Sequence, residues 1–312
     1  MTVMSHRCVY VDGVSSLVAE LRRCLQEENK DTRALEVLSA FIFTAPLGDE
    51  LRRLHGEGFS HLCINPVGAL HYCPFSLLHL GDRPVGADWV VTHLPSLSML
   101  IPRWGCDRSH ARSGGAVFGL TFKGPTLGLH SLDPLDFVKP EVLAITKAVQ
   151  FEAFLDEQAT ASVLIEALRT RRYVHLATHG RQDPSAPSFQ TLYLYPNNDH
   201  DGVYRALEVL SHSLEGLDLI TLSACETSLG RIDAGDNPRG LQAFLFVSGA
   251  STVVSCLWAV HDDAASSFFA DLYRNLAEGR DKLSSYECAL RTTRERFCEP
   301  EDWGAFQFSG RW

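Results

Sequence analysis

From Pro140 onward, short apolar runs alternate with segments of helical period, and this alternation constrains the fold most strongly. Tyr173-Val-His-Leu-Ala-Thr178, Asp218-Leu-Ile-Thr-Leu-Ser223 and Ser251-Thr-Val-Val-Ser-Cys-Leu-Trp258 are apolar and of strand length. Such runs fit strands covered on both faces. Around them, Glu141–Gln150, Ala161–Arg171, Pro238–Ser248, Asp262–Leu276 and Asp281–Phe297 carry helical spacing. Pro238 suits a first helical turn, where its missing N–H costs nothing. Strands that alternate with helices predict an α/β layered fold with a largely parallel sheet flanked by helices.

Upstream, the first 58 residues read as helices. Val14–Leu25 and the stretch after Asp31-Thr32 through Phe41 place apolar residues three and four apart. The period then changes. Phe59–Ile64, Trp89–Leu94 and Ala116–Leu120 read as strands, and Gly105–Gly115 and Lys123–Pro140 read as Gly/Pro/Ser-rich loops. Residues 1–58 are therefore expected as N-terminal helices, 59–139 as an N-terminal α/β half and 140–312 as a C-terminal half. Their boundary is expected within 123–140. No repeat of helical-array length is present.

Composition narrows the function classes. Lys plus Arg number 28 against 38 Asp plus Glu, a formal charge of −10 in 312 residues. That balance offers no footprint for a phosphate backbone, so nucleic acid is not an expected partner. No apolar run reaches membrane-spanning length and the first residues lack a secretory core, so no membrane is expected. Nine cysteines without a dense framework fit reduced thiols in a cytoplasmic setting.

Two segments share one form, an apolar strand closing on a reactive side chain and a small residue. They are Val174-His-Leu-Ala-Thr-His179-Gly180 and Leu219-Ile-Thr-Leu-Ser-Ala-Cys225-Glu-Thr227. Catalytic groups gather beyond the carboxyl ends of parallel strands. His179 and Cys225 are thus candidates for one cleft, the thiolate as nucleophile and the imidazole as its activator. Gly180 lets a backbone N–H approach a substrate carbonyl, and with the N–H of Cys225 it could form an oxyanion hole. Spacing alone leaves the bland reading open, with Cys225 a small core residue and His179 a structural one. His175 shares the face of His179 by alternation and is the local competitor for the base, although a packing role suits it. Glu226 reads as structural, its side chain pointing away from its neighbour's. Arg169–Arg172 is a basic run at a helix end. His61, Cys63, His71 and Cys73 form two His-x-Cys pairs that could meet a zinc ion. Packing of the two cysteines is the simpler reading, and no metal or other cofactor is expected.

"VHLATHG" followed by "LITLSACETSLG", "NPRGLQAFLFVSGASTVVSCLWAVHDD" and "EDWGAFQFSG" resembles the CHAT family of caspase-like cysteine peptidases. The upstream "INPVGALHYCPFSLL" and "THLPSLSML" match as well, so the resemblance runs from about residue 59 to the end. It implies a degenerate caspase-like half (59–139) and an active one (140–312). It implies Cys225 as nucleophile, His179 as general base, and Gly180 and Cys225 as backbone oxyanion donors, working as a dyad. CHAT proteins are similar to separase, whose comparable segment makes Asp262 and Asp263 candidates for a pocket that takes a basic residue. The bland reading for Asp262 is a helix start. The resemblance further implies a cytoplasmic endopeptidase on protein substrates. An activating protein partner and a bacterial defence setting, CRISPR-linked or similar, belong to the same expectation. The alternative is a catalytically silent caspase-like module that recruits partner proteins.

Overall fold

Eight strands form one sheet through the centre of the molecule. In spatial order they are His61–Ile64, Val90–His93, Phe306–Gly310, Thr252–Cys256, Leu219–Ser223, Tyr173–Ala177, Gly115–Gly119 and Glu152–Leu155. The computed structural model describes residues 13–27, 31–100, 112–123, 132–181, 190–223, 231–233 and 237–312. Every neighbouring pair in the sheet is parallel except one: Thr252–Cys256 and Phe306–Gly310 run antiparallel. The sheet is therefore two parallel blocks of opposite direction joined at that seam. The five-stranded block, from Thr252–Cys256 to Glu152–Leu155, presents all its carboxyl ends at one edge.

Side-chain alternation divides the covering layers. Val174 and Leu176, Ile220 and Leu222, and Val253 point to one face. There they pack on the helices Ala161–Thr170 and Leu241–Ser248 through Leu164, Leu168, Phe244 and Leu245. Val117, Ala177, Leu219 and Val254 point to the other face. There the helices Val138–Ala148, Asp262–Ala277 and Lys282–Arg296 contribute Val142, Ile145, Phe268, Phe269, Leu272 and Tyr286. Burial of such side chains contributes about 1.5–3 kcal/mol each, the main favourable term for the layering. A third core joins the helices Val14–Gln26, Arg33–Ile42 and Ala45–Gly56 to the Val90–His93 side through Val18, Leu21, Leu38, Leu51, Trp89 and Val91.

The α/β architecture with a largely parallel, helix-flanked sheet agrees with the sequence expectation. Two local expectations need correction. Pro238 does not open a helix. It lies in a short strand, Asn237–Arg239, paired with Arg231–Asp233, and the helix begins at Leu241. Gly240 between them has φ 140°, a conformation suited to glycine that ends the strand before the helix starts. The loop expected through Pro140 also ends early, because the helix starts at Val138. A small antiparallel sheet of Gly180–Arg181, Thr191–Tyr193 and Val203–Arg205 lies beyond the end of Tyr173–Ala177. No helix among the described residues is long and apolar enough to cross a membrane.

Candidate active site

The strands Tyr173–Ala177 and Leu219–Ser223 are adjacent and parallel, with Ala177 opposite Ser223. His179 follows Ala177 by two residues. Cys225 follows Ser223 by two, but it lies outside the described residues, as does Glu226. The backbone around His179 is fixed on three sides. The Leu120 N–H donates to the Ala177 carbonyl at 3.0 Å, the Thr178 N–H to the Ser223 carbonyl at 3.4 Å, and the Tyr193 N–H to the His179 carbonyl at 3.0 Å. The buried Thr178 hydroxyl donates to the Tyr193 carbonyl.

The His179 ring is half-buried and held on two sides. Nε2 lies 2.7 Å from the main-chain oxygen of Asp133. A carbonyl oxygen only accepts, so Nε2 carries the hydrogen. In the neutral ring this leaves Nδ1 with the free lone pair, the tautomer needed by a base that works through Nδ1. The Phe122 ring packs on the imidazole with 4.8 Å between centroids. Phe122 is buried and has φ 54°, the left-handed region that bulky residues rarely adopt. The segment before it is tied down by Asp156, whose Oδ1 accepts from the Thr121 N–H at 2.7 Å and its hydroxyl at 2.8 Å. Asp156 has φ 45°. Two strained residues thus brace one wall beside the imidazole, as expected where geometry serves function.

Gly180 begins the short antiparallel sheet opposite Leu192, next to His179. Asp262 and Asp263 form the exposed first turn of the helix Asp262–Ala277. That helix follows the strand Thr252–Cys256, which lies two strands, about 10 Å, from Tyr173–Ala177 in the sheet. Partial burial raises the Asp262 carboxyl above its ordinary range, and the charges of Glu141, Asp263 and Asp136 add to the rise while His261 opposes it. Asp136 pairs with Lys123 at 2.5 Å. Asp262, Asp263 and Asp136 thus lie close enough to influence one another.

His175 is fully buried on the sheet face opposite the Leu164 layer. Its Nδ1 meets the Thr221 hydroxyl at 2.7 Å and its Nε2 faces Glu141 Oε1 at 3.1 Å. Enclosed in this way it cannot reach substrate, which removes it as a competitor for the base. Arg171 and Arg172 pair with Glu152 and Asp218 at 2.5 and 2.8 Å. The two His-x-Cys pairs have separate surroundings. His61 Nε2 bonds the Thr92 hydroxyl at 2.8 Å, while Cys73 is buried in the N-terminal core. Among the described residues no three His, Cys, Asp or Glu side chains are grouped to hold a metal ion. Asp133, Phe122 and Glu141 were not marked by the sequence. Asp133 acts through its backbone, which leaves no signal in residue type.

A family model described as "CHAT domain" matches residues 32–311. Among solved structures, the Arg-specific cysteine proteinase gingipain R is similar at TM-score 0.52 and 10% identity, covering 95% of this chain and 73% of that one. A complex of Porphyromonas gingivalis RgpB pro- and mature domains is similar at TM-score 0.51 and 9% identity, covering 92% and 70%. The Saccharomyces cerevisiae separase–securin complex is similar at TM-score 0.51 and 16% identity, covering 77% of this chain but 14% of that one. At these identities the likeness shows a shared caspase-like fold. No curated protein matches the chain.

Proposed function

The chain belongs to the CHAT domain family, and from that premise we propose that it is a cysteine endopeptidase working through a Cys225–His179 dyad. The observation that carries the reading is the seating of His179. It sits just beyond a strand end, its Nε2–H committed to the Asp133 carbonyl, next to the strand that leads in sequence into Cys225.

In this reaction His179 Nδ1 accepts the Cys225 proton and the thiolate attacks a peptide carbonyl carbon. The oxyanion is held by the backbone N–H groups of Gly180 and Cys225. The imidazolium then protonates the leaving amine as the C–N bond breaks. Water, deprotonated by His179, adds to the thioester; collapse expels the thiolate and releases the new carboxylate. The Asp133 carbonyl keeps the ring oriented throughout and supports its positive charge, a role that needs no third side chain.

Asp262 and Asp263 would pair with an Arg or Lys preceding the cut. The Arg specificity in gingipain's description supports this by analogy of fold. Release of activity by a protein partner, and a place in bacterial defence, complete the reading.

The test incubates wild-type protein, Cys225→Ala and His179→Ala with candidate protein substrates and identifies fragments by mass spectrometry. Cleavage after basic residues by wild type alone is expected. Undiminished cleavage by either variant would remove the dyad, and cuts after apolar residues would remove the acidic pocket.

A further inference from the structure

Beneath the two strand ends lies a chain of buried polar groups that the reaction itself does not use. Glu141 is 5% exposed and His175 is 0% exposed. Isolated charges are seldom buried so deeply, because desolvation is costly unless partners replace water. Here partners are present. The Ser223 hydroxyl donates to Glu141 Oε2 at 3.1 Å. Glu141 Oε1 and His175 Nε2 approach to 3.1 Å without a hydrogen bond between them. His175 Nδ1 meets the Thr221 hydroxyl at 2.7 Å, and that hydroxyl lies 2.6 Å from the Tyr273 hydroxyl. Tyr273 in turn donates to the Val174 carbonyl at 3.4 Å.

The donors can be assigned from the far end. Tyr273 gives its hydrogen to a carbonyl, so Thr221 donates to Tyr273 and His175 Nδ1–H donates to Thr221. The remaining nitrogen, Nε2, faces a carboxylate oxygen. The two atoms approach each other there without a hydrogen bond between them. Phe269 packs on the His175 ring at 5.0 Å between centroids, and Tyr273 at 5.8 Å.

Its placement gives it a purpose. His175 is on the strand that leads to His179, and Thr221 and Ser223 are on the strand that leads to Cys225. Thr221 is directly opposite His175. Glu141 and Tyr273 come from two of the helices packed on that face. Ordinary apolar packing would tolerate a slight slip of one strand end against the other. The directional bonds from His175 to Thr221, Thr221 to Tyr273 and Ser223 to Glu141 resist it, since a shift would break them in a buried setting. We propose that Glu141 and His175 are positioning residues that, through Ser223 and Thr221, fix the two strand ends at the separation required by the Cys225–His179 dyad. This rests on the peptidase reading.

The test is the rate at which iodoacetamide alkylates Cys225, followed peptide by peptide in mass spectra across a pH series, with thermal melting of each variant alongside. In wild type, fast alkylation that persists below the ordinary thiol range, and that is lost in His179→Ala, reports an assembled dyad. Glu141→Leu and Ser223→Ala should slow alkylation at neutral pH by about tenfold and move its pH midpoint upward. Glu141→Gln can still accept from Ser223, so it should stay within about threefold of wild type. Ser223→Thr keeps the hydroxyl and should do the same. Should Glu141→Leu fail to fold, Ser223→Ala carries the test, because it removes one hydroxyl only. A folded Ser223→Ala or Glu141→Leu protein with lowered melting temperature but the wild-type alkylation profile would overturn the positioning role while leaving the dyad standing. A wild-type Cys225 that titrates as an ordinary thiol, indifferent to His179→Ala, would overturn the dyad and this inference together.

Discussion

Phe122 offers a test in which the sign of the effect, and not merely its size, is fixed by the structure. Its ring is 7% exposed and packs against His179, so truncation should cost about 3–5 kcal/mol. Phe122→Ala and Phe122→Gly lose the same ring and differ by a single methyl group. At an ordinary position alanine is the more stable of the two by about 0.5–1 kcal/mol, because glycine loses more backbone freedom on folding. At φ 54° the balance reverses. A β-carbon in the left-handed region costs about 1–2 kcal/mol, which glycine avoids. The difference leaves Phe122→Gly more stable than Phe122→Ala by about 1 kcal/mol. In thermal unfolding this is a gap of about 2 °C for a chain of this size. Calorimetry of the two variants under identical conditions measures it. Equal stability, or alanine above glycine, would refute the claim that strain is stored beside the imidazole.

Other expectations follow from charge and packing. Lys282, with 11% of its side chain exposed, places Nζ 2.6 Å from Asp218 Oδ1 and 2.8 Å from the Thr252 hydroxyl. Lys282→Met should cost about 3 kcal/mol in urea unfolding. Arg172→Met, at the half-exposed side of the same carboxylate, should cost less than about 1 kcal/mol; similar losses would contradict the burial argument. Although burial opposes it, the Lys282 and Arg172 charges hold the Asp218 carboxyl below its ordinary range. Its contribution is therefore complete above the unfolded pKa and disappears as pH falls through the lower folded value. Asp218→Asn should flatten the acid side of the stability curve, and an unchanged acid slope would count against the pair. A β-carbon on Gly119 would sit 2.7 Å from both Val138 Cγ1 and Val142 Cγ2. Gly119→Ala should lower stability by about 1–3 kcal/mol in thermal melts, and no loss would mean that the Val138–Ala148 helix can move away freely.

The parts of the fold that were legible in the sequence were those in which residue type and environment agree. Tyr173–Ala177, Leu219–Ser223 and Thr252–Cys256 are apolar because both their faces are covered, and each lies within a residue or two of its expected span. Phe306–Gly310 is equally buried, yet Gln307, Ser309 and Gly310 disguise it. Its polar side chains are accepted because the strand is enclosed by neighbours. Glu152–Leu155 is an edge strand with exposed residues and a weak pattern. At the site, His179 stood out because a reactive side chain after an apolar run is unusual. Asp133 contributes a carbonyl, which every residue owns. Phe122 is defined by a backbone angle that its side chain disfavours. Glu141 is one residue of a helical pattern, and its inward direction depends on how that helix lies on the sheet. Cys225 stands two residues after Ser223 in sequence and lies outside the described segments.

The antiparallel seam carries a consequence for how the chain is made. Phe306–Gly310 is inserted between Val90–His93 and Thr252–Cys256, so both of its neighbours are synthesised before it and wait for it. Until residue 310 has left the ribosome, a growing polypeptide holds two unfinished sheets whose facing rims are open to water and to other chains. Such rims invite mispairing. Premature termination before residue 306 should therefore leave an aggregation-prone product with no join between its blocks, and any cleft spanning them would come into being only once residues 306–310 have been made.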